Sequence, residues 1–164
     1  MLSEHELFYN HFGSDHVQKI KVESDGSSEI GQQRSFKSID ILKFSDNVYE
    51  VLIGSEDGYL ILGIMECDPR KGSVEVFEPF KTVIETPEYS AILDIKITKV
   101  KNEFLTLAVS STQLYQFVGS GSLDEVFRQY KNNPKLIQEH TIVTGSKKSD
   151  KHMHVANASD LASI

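Results

Sequence analysis

The chain has 164 residues, enough for one domain with its own core or two very small ones. Its 39% hydrophobic and 25% charged residues are ordinary for a globular protein, and a single cysteine, Cys67, excludes an internal disulfide or a multi-thiolate zinc site. The net charge of -7, with its basic residues dispersed, argues against nucleic acid as the main partner, and no apolar run nears the ~20 residues that span a bilayer.

The chain opens on "MLSEHELFYNHF", which carries acids but no basic region or small-residue cleavage site, so no secretory leader is expected. With one cysteine, this points to a reducing compartment, most simply the cytosol. Residues 1–35 read as a partial strand and linker region: "HVQKIKV" is a candidate strand, and Asp25-Gly26-Ser27-Ser28 a turn or short linker. From Phe36 the sequence reads strand, turn, strand. In "FKSIDILKF" Ile39 and Ile41 point one way, with Ser38, Asp40 and Leu42 the other. Asp46-Asn47 turns the chain into "VYEVLIG", and Gly54 to Gly58 close a hairpin into "YLILGIMEC". After a second turn at Asp68 to Gly72, "SVEVFEPFKTVIET" is a further strand. Pro79 marks it as an edge, because proline cannot donate to a ladder on both sides.

A second cycle then starts. "AILDIKITKV" reads as a half-buried strand with Ala91, Leu93, Ile95 and Ile97 inward and Asp94, Lys96 and Thr98 toward water. Lys101-Asn102 leads into "EFLTLAVS", and Ser110-Ser111 into "TQLYQFVG", which is apolar on both faces. The pattern thus restarts after about 50 residues, the period of four-stranded propeller blades. Blades stacked around an axis bury both faces of their middle strands, which removes the alternating polarity of a surface hairpin. A two-layer sandwich is the competing architecture, but it should keep one polar face per strand. The expected fold is therefore mostly β, with about two four-stranded antiparallel propeller-like blades over residues 36–143 and one inserted short helix near residues 122–132. Ser122 and Glu125 have the spacing of a capping box, and Leu123, Val126, Phe127 and Tyr130 form an apolar stripe. Asn132-Asn133-Pro134 ends the helix, and "KLIQEHTIV" is expected to return as the last strand of the blade. Residues 144–164 read as a polar, flexible tail. Its basic group "GSKKSDKH" is a solvated segment, with contact to an anionic membrane as the alternative.

No residue stands out for chemistry. His152 and His154, with Asp150 nearby, have strand spacing for a shared face but no anchored third ligand, and His5, His11 and His16 offer no better geometry. "GSGSLDE" looks like a phosphate cradle, yet it lacks the following lysine, and Asp124 and Glu125 already occupy the positive end of the helix. Glu56-Asp57 sits on a hairpin tip. Cys67 lies between Glu66 and Asp68, whose charges oppose a thiolate. Asn157-Ala158-Ser159 matches a glycosylation sequon, but a chain without a leader does not meet the enzyme. No catalytic, cofactor-binding or metal-binding residue is assigned, and no cofactor is expected.

The order of "VLIGSEDGYLILGIM", "VFEPFKTVIET", "ILDIKI", "FLTLAVSSTQLYQFVGSG" and "LDEVFRQYKNNP" resembles the N-terminal β-propeller of the vacuolar protein sorting-associated protein 18 family, also called Pep3 or deep orange. "LAVSSTQLYQFVG" followed by that helix, with Phe127 and Tyr130 three apart, is the most specific part, and the resemblance runs from about Lys37 to His140. It implies a non-enzymatic scaffold or interaction module of the class C tethering complexes HOPS and CORVET. Such a module acts in vesicle tethering and SNARE-mediated fusion on late endosomes and lysosomes or vacuoles. The implied partners are the other class C subunits and, indirectly, small GTPases and SNAREs. Membrane association would be peripheral, through the complex, with no transmembrane segment and no nucleic acid. Family members are several times longer, with a helical solenoid and a RING domain that one cysteine cannot build, so the chain reads as a fragment or truncated product. The alternative is a cytosolic β-propeller or sandwich adaptor binding an unrelated protein partner, although the WD signature is missing. A propeller hydrolase would need a convergent polar cluster that does not appear. Two blades alone would leave two apolar sheet faces open, which predicts marginal stability or self-association.

Overall fold

The computed structural model describes residues 6–10, 17–22 and 34–143. Strands β1 (Glu6–Asn10) and β2 (Val17–Lys21) pair antiparallel as a two-stranded sheet. Strands β3 (Phe36–Ser45), β4 (Val48–Ser55), β5 (Tyr59–Asp68) and β6 (Ser73–Glu85) pair with one another in chain order. Strands β7 (Asp94–Val100), β8 (Glu103–Val109), β9 (Gln113–Ser120) and β10 (Gln138–Thr141) do the same. Helix α1 (Leu123–Asn132) and a short 3-10 turn (Pro134–Leu136) separate β9 from β10. The structure thus contains two antiparallel four-stranded sheets with one inserted helix, as the sequence predicts.

Local chemistry explains where the strands stop. Asn47 takes a left-handed conformation (φ 64°) in the tight turn between β3 and β4, which asparagine tolerates better than most residues. Gly58 has φ 85°, and a Cβ there would lie 2.6 Å from Thr86 Oγ1, so both its backbone and its surroundings require glycine. Strand β6 is an edge. Its register slips between the pairs Leu62↔Lys81 and Ile64↔Glu78, which places Pro79 in a bulge where no ladder donor is needed.

Strands β4 and β5 are apolar on both sides because each side is covered by a different partner. Leu52, Leu60 and Leu62 face the second sheet and pack with Ile95, Ile97, Phe104, Tyr115 and Phe117. Val51, Ile53, Ile61 and Met65 face the other way, into a second core closed by Leu7 and Ile20 of the β1–β2 hairpin. The early residues therefore supply a hairpin rather than a single strand. They also cover one of the two sheet faces expected to stand open.

Helix α1 fills the space between the sheets on the side away from the β3–β7 contact, packing on β6 and β9. Ser122 caps it: its hydroxyl accepts the Glu125 N–H (3.2 Å), and the Glu125 carboxylate accepts the Ser122 N–H (2.9 Å). The expected stripe of Leu123, Val126, Phe127 and Tyr130 is buried in the first core. Phe117 meets Phe127 and Tyr130 edge-on, with ring centroids 5.4 and 5.1 Å apart. The Tyr130 hydroxyl accepts the Val118 N–H and donates to the Val118 carbonyl, locking the helix to β9.

One expectation needs correction. The strand read from Ala91 begins at Asp94, and the inward residue before it is Ile92, fully buried, while Leu93 is 52% exposed. The Ile92 backbone bonds to the first sheet, which breaks the alternation before β7 starts. The outer face of β8 and β9 is the second of the faces expected to stand open, and the described residues leave it uncovered. Leu105, Leu107 and Val109 are half-buried, and Val118 is exposed, on the face turned away from the first sheet.

Candidate functional site: the seam between the two sheets

The two sheets meet along polar links that cross an apolar core. On β3, Ser38 Oγ donates to the Ile92 carbonyl (2.7 Å), and Asp40 Oδ2 accepts the Ile97 N–H of β7 (2.6 Å). The Ile92 N–H donates to the Ser55 carbonyl at the end of β4 (3.0 Å). A Cβ on Gly54 would lie 2.6 Å from the Ile92 side chain, so only glycine permits this approach. At the outer side, Lys81 of β6 pairs with Asp124 of α1 at 2.7 Å, and Asp124 also accepts from Arg128 at 2.5 Å. Partial burial pushes the Asp124 carboxyl up, but these two cations outweigh it and hold the group below its usual range.

Glu50 of β4 sits within this seam and is 2% exposed. The backbone N–H of Leu123, the first residue of α1, favours the charged form of its carboxyl. From the first sheet it therefore faces the start of a helix inserted in the second, where backbone amides lack helical partners. Burial raises its pKa; the Leu123 N–H and Lys99 work against that shift, while Asp124 and Glu78 add to it.

A groove of about 690 Å³ opens where the end of β6 meets the helix, bounded by Tyr59, Tyr89, Tyr130, Lys131 and Pro134. At its rim the Arg34 guanidinium stacks 3.5 Å above the Tyr59 ring and pairs with Asp57. A smaller cavity of about 260 Å³ lies at the other end of the seam, beside Glu50.

The model of the Pep3/Vps18/deep orange beta-propeller domain matches residues 4–162. The chain belongs to this family. A curated relative, "Vacuolar sorting protein 18" of Arabidopsis thaliana, is 31% identical over 86 residues, which is 50% of this chain and 8% of the relative. The chain therefore spans a small part of the length of the curated relative it matches. No solved structure matches at a significant level. The described residues form two four-stranded antiparallel sheets, the kind of unit from which β-propellers in general are assembled.

Residues singled out in the sequence fall in several places on this Pep3/Vps18/deep orange segment. His5, His11, His16, Asp150, His152, His154 and the Asn157 sequon lie outside the described residues. Among the described residues, no three histidine, cysteine or acidic side chains are placed to hold a metal ion. The start of α1 is closed by the reciprocal capping bonds of Ser122 and Glu125, as a capped helix requires. Glu56 pairs with Lys37 at 3.8 Å, and Asp57 ties the hairpin tip to Arg34. Cys67 is half-buried, with its sulfur 3.2 Å from the Tyr9 hydroxyl. That contact, together with burial, pushes the tyrosine up to about 12. Glu50 and Asp40 escaped the reading as site residues. The one available signal was a charge interrupting the apolar runs "VYEVLIG" and "FKSIDILKF".

Proposed function

We propose that this propeller segment is a non-enzymatic interaction module of a class C vacuolar protein sorting tethering complex, HOPS or CORVET. It acts in vesicle tethering and fusion, from the cytoplasmic side of late endosome and lysosome or vacuole membranes. Its direct partners are the other class C subunits, with small GTPases and SNAREs reached through the complex. The two sheets over residues 36–143 are neighbouring blades, flanked by 1–35 and 144–164. The observation that carries this reading is the family match over residues 4–162. The name of the plant relative, a vacuolar sorting protein, supports it. Among the described residues no helix is long and apolar enough to cross a membrane, in keeping with peripheral attachment. The seam adds support for a scaffold: Ser38 and Asp40 spend their hydrogen bonds on the backbone of the second sheet rather than converging on an open site. Affinity purification of the tagged chain from cells tests it. Class C subunits should co-purify; their consistent absence, with a different stable partner in their place, overturns the assignment.

A further inference from the structure

The cavity beside Glu50 combines three features that the seam's structural role does not use. The first is an unpaired carboxylate oxygen. Glu50 is almost completely buried, and its Oε2 has no hydrogen-bond partner among the described residues. The second is a surplus of negative charge. Glu50, Ile64 and Glu78 lie in one cross-strand row through the pairs Glu50↔Ile64 and Ile64↔Glu78, so both carboxylates belong to the same side of the sheet. Asp124 also borders the cavity, but it is matched by Lys81 at 2.7 Å. The third is an aromatic rim: Phe44 and Phe77 border the cavity and are 59% and 63% exposed.

We propose that this cavity, of about 260 Å³, is a socket for one arginine side chain presented by a basic segment of a partner protein. A guanidinium stacks on aromatic faces while donating to carboxylates in its own plane, and it sheds water more readily than an ammonium. Two exposed phenylalanines bordering the same cavity as two carboxylates suit that cation better than a lysine. The volume admits one long side chain, not a folded domain or a lipid headgroup with its chains. A buried carboxylate without a partner is costly, and a cation seated beside it offsets that cost through its charge. The charged groups around Glu50 are Glu78 and Asp124, which oppose its ionisation, Lys99, which favours it, and Lys81, which borders the same cavity paired with Asp124. Because a bound cation favours the ionised carboxylate, binding releases a proton and tightens as the pH rises through the Glu50 titration. The socket requires no assumption about which complex the chain joins.

The test is an NMR titration of the whole chain with the peptide acetyl-Leu-Arg-Leu-amide, against the same peptide carrying citrulline. The arginine peptide should shift the Ile64 methyl and Glu50 carboxyl signals saturably, and citrulline should bind at least about tenfold more weakly. Glu50→Gln and Phe77→Ala should each weaken the arginine peptide by about tenfold. Glu78→Gln, at an exposed position, serves as a second charge variant that leaves the core intact. Equal binding of the two peptides, no shift at Ile64, or unchanged affinity in both glutamine variants overturns the proposal.

Discussion

Two acidic residues that meet at the start of the same helix carry opposite pH signatures. Glu50 is pushed upward because burial disfavours its charge, whereas Asp124 is pulled downward by Lys81 and Arg128. A carboxyl whose folded pKa lies above its unfolded value of 4.5 costs nothing while protonated in both states. Its penalty appears as the pH rises from that value through the folded pKa. Replacing it with glutamine keeps the size and shape of the side chain and removes the charge. Glu50→Gln is therefore expected to match the parent in acid and to be more stable at neutral pH. Asp124→Asn should do the reverse: less stable at pH 7, with the deficit vanishing as the pH falls below the usual carboxyl value of 3.8. Urea denaturation of the three proteins between pH 3 and pH 7 checks both signs. Deficits that do not change with pH would show that shape, not charge, sets the energies at these two positions.

At the level of elements, α1 is the piece whose stability depends most on its neighbours. A ten-residue helix is marginal in isolation, so its capping box and its buried stripe must act together. Phe127 is fully buried and meets Phe117 edge-on, whereas Ser122 works at the partly exposed start of the helix. Phe127→Ala is expected to cost about 3–5 kcal/mol, and Ser122→Ala about 1 kcal/mol. Hydrogen exchange adds a local readout: the Ser122 variant should lose protection in the first turn of the helix alone. The Phe127 variant should also lose it in β9, because the Tyr130 hydroxyl that bonds Val118 travels with the helix. Equal losses of stability from the two substitutions would mean that packing against Phe117 contributes little.

For the whole molecule, the decisive asymmetry lies between the two sheets. The first has a core on each side, with the β1–β2 hairpin closing one of them through Leu7 and Ile20. The second has a core on one side, while Leu105, Leu107, Val109 and Val118 of its other face remain half-buried or exposed among the described residues. An apolar sheet face of this kind favours association. The purified chain is expected to self-associate as its concentration rises. Leu107→Lys should shift it toward monomer without changing the strand signature of its circular dichroism. Size-exclusion chromatography with light scattering measures this, and a monomer that melts cooperatively at every concentration counts against it.

The sequence by itself determined the strand order, the paired cycles, the proline-bearing edge at β6 and the capped helix. Each depends on chemistry within a few residues: alternation along a strand, the missing donor of Pro79, the reach of Ser122 to Glu125. Apolar residues on both faces of β4 and β5 also required a cover on each side, though not its identity. Only the tertiary structure decided that the first cover is the second sheet and the other a hairpin from the start of the chain. It likewise decided that Ile92, not Leu93, turns inward, because Ser38 and Ser55 hold its backbone from the neighbouring sheet. Glu50 is the clearest case. In "VYEVLIG" it reads as a single charge in an apolar strand, and its buried role exists only once folding brings Leu123, distant in the chain, against it. Local patterns specify elements because the interacting atoms are covalently close, whereas the seam joins atoms that only folding makes neighbours.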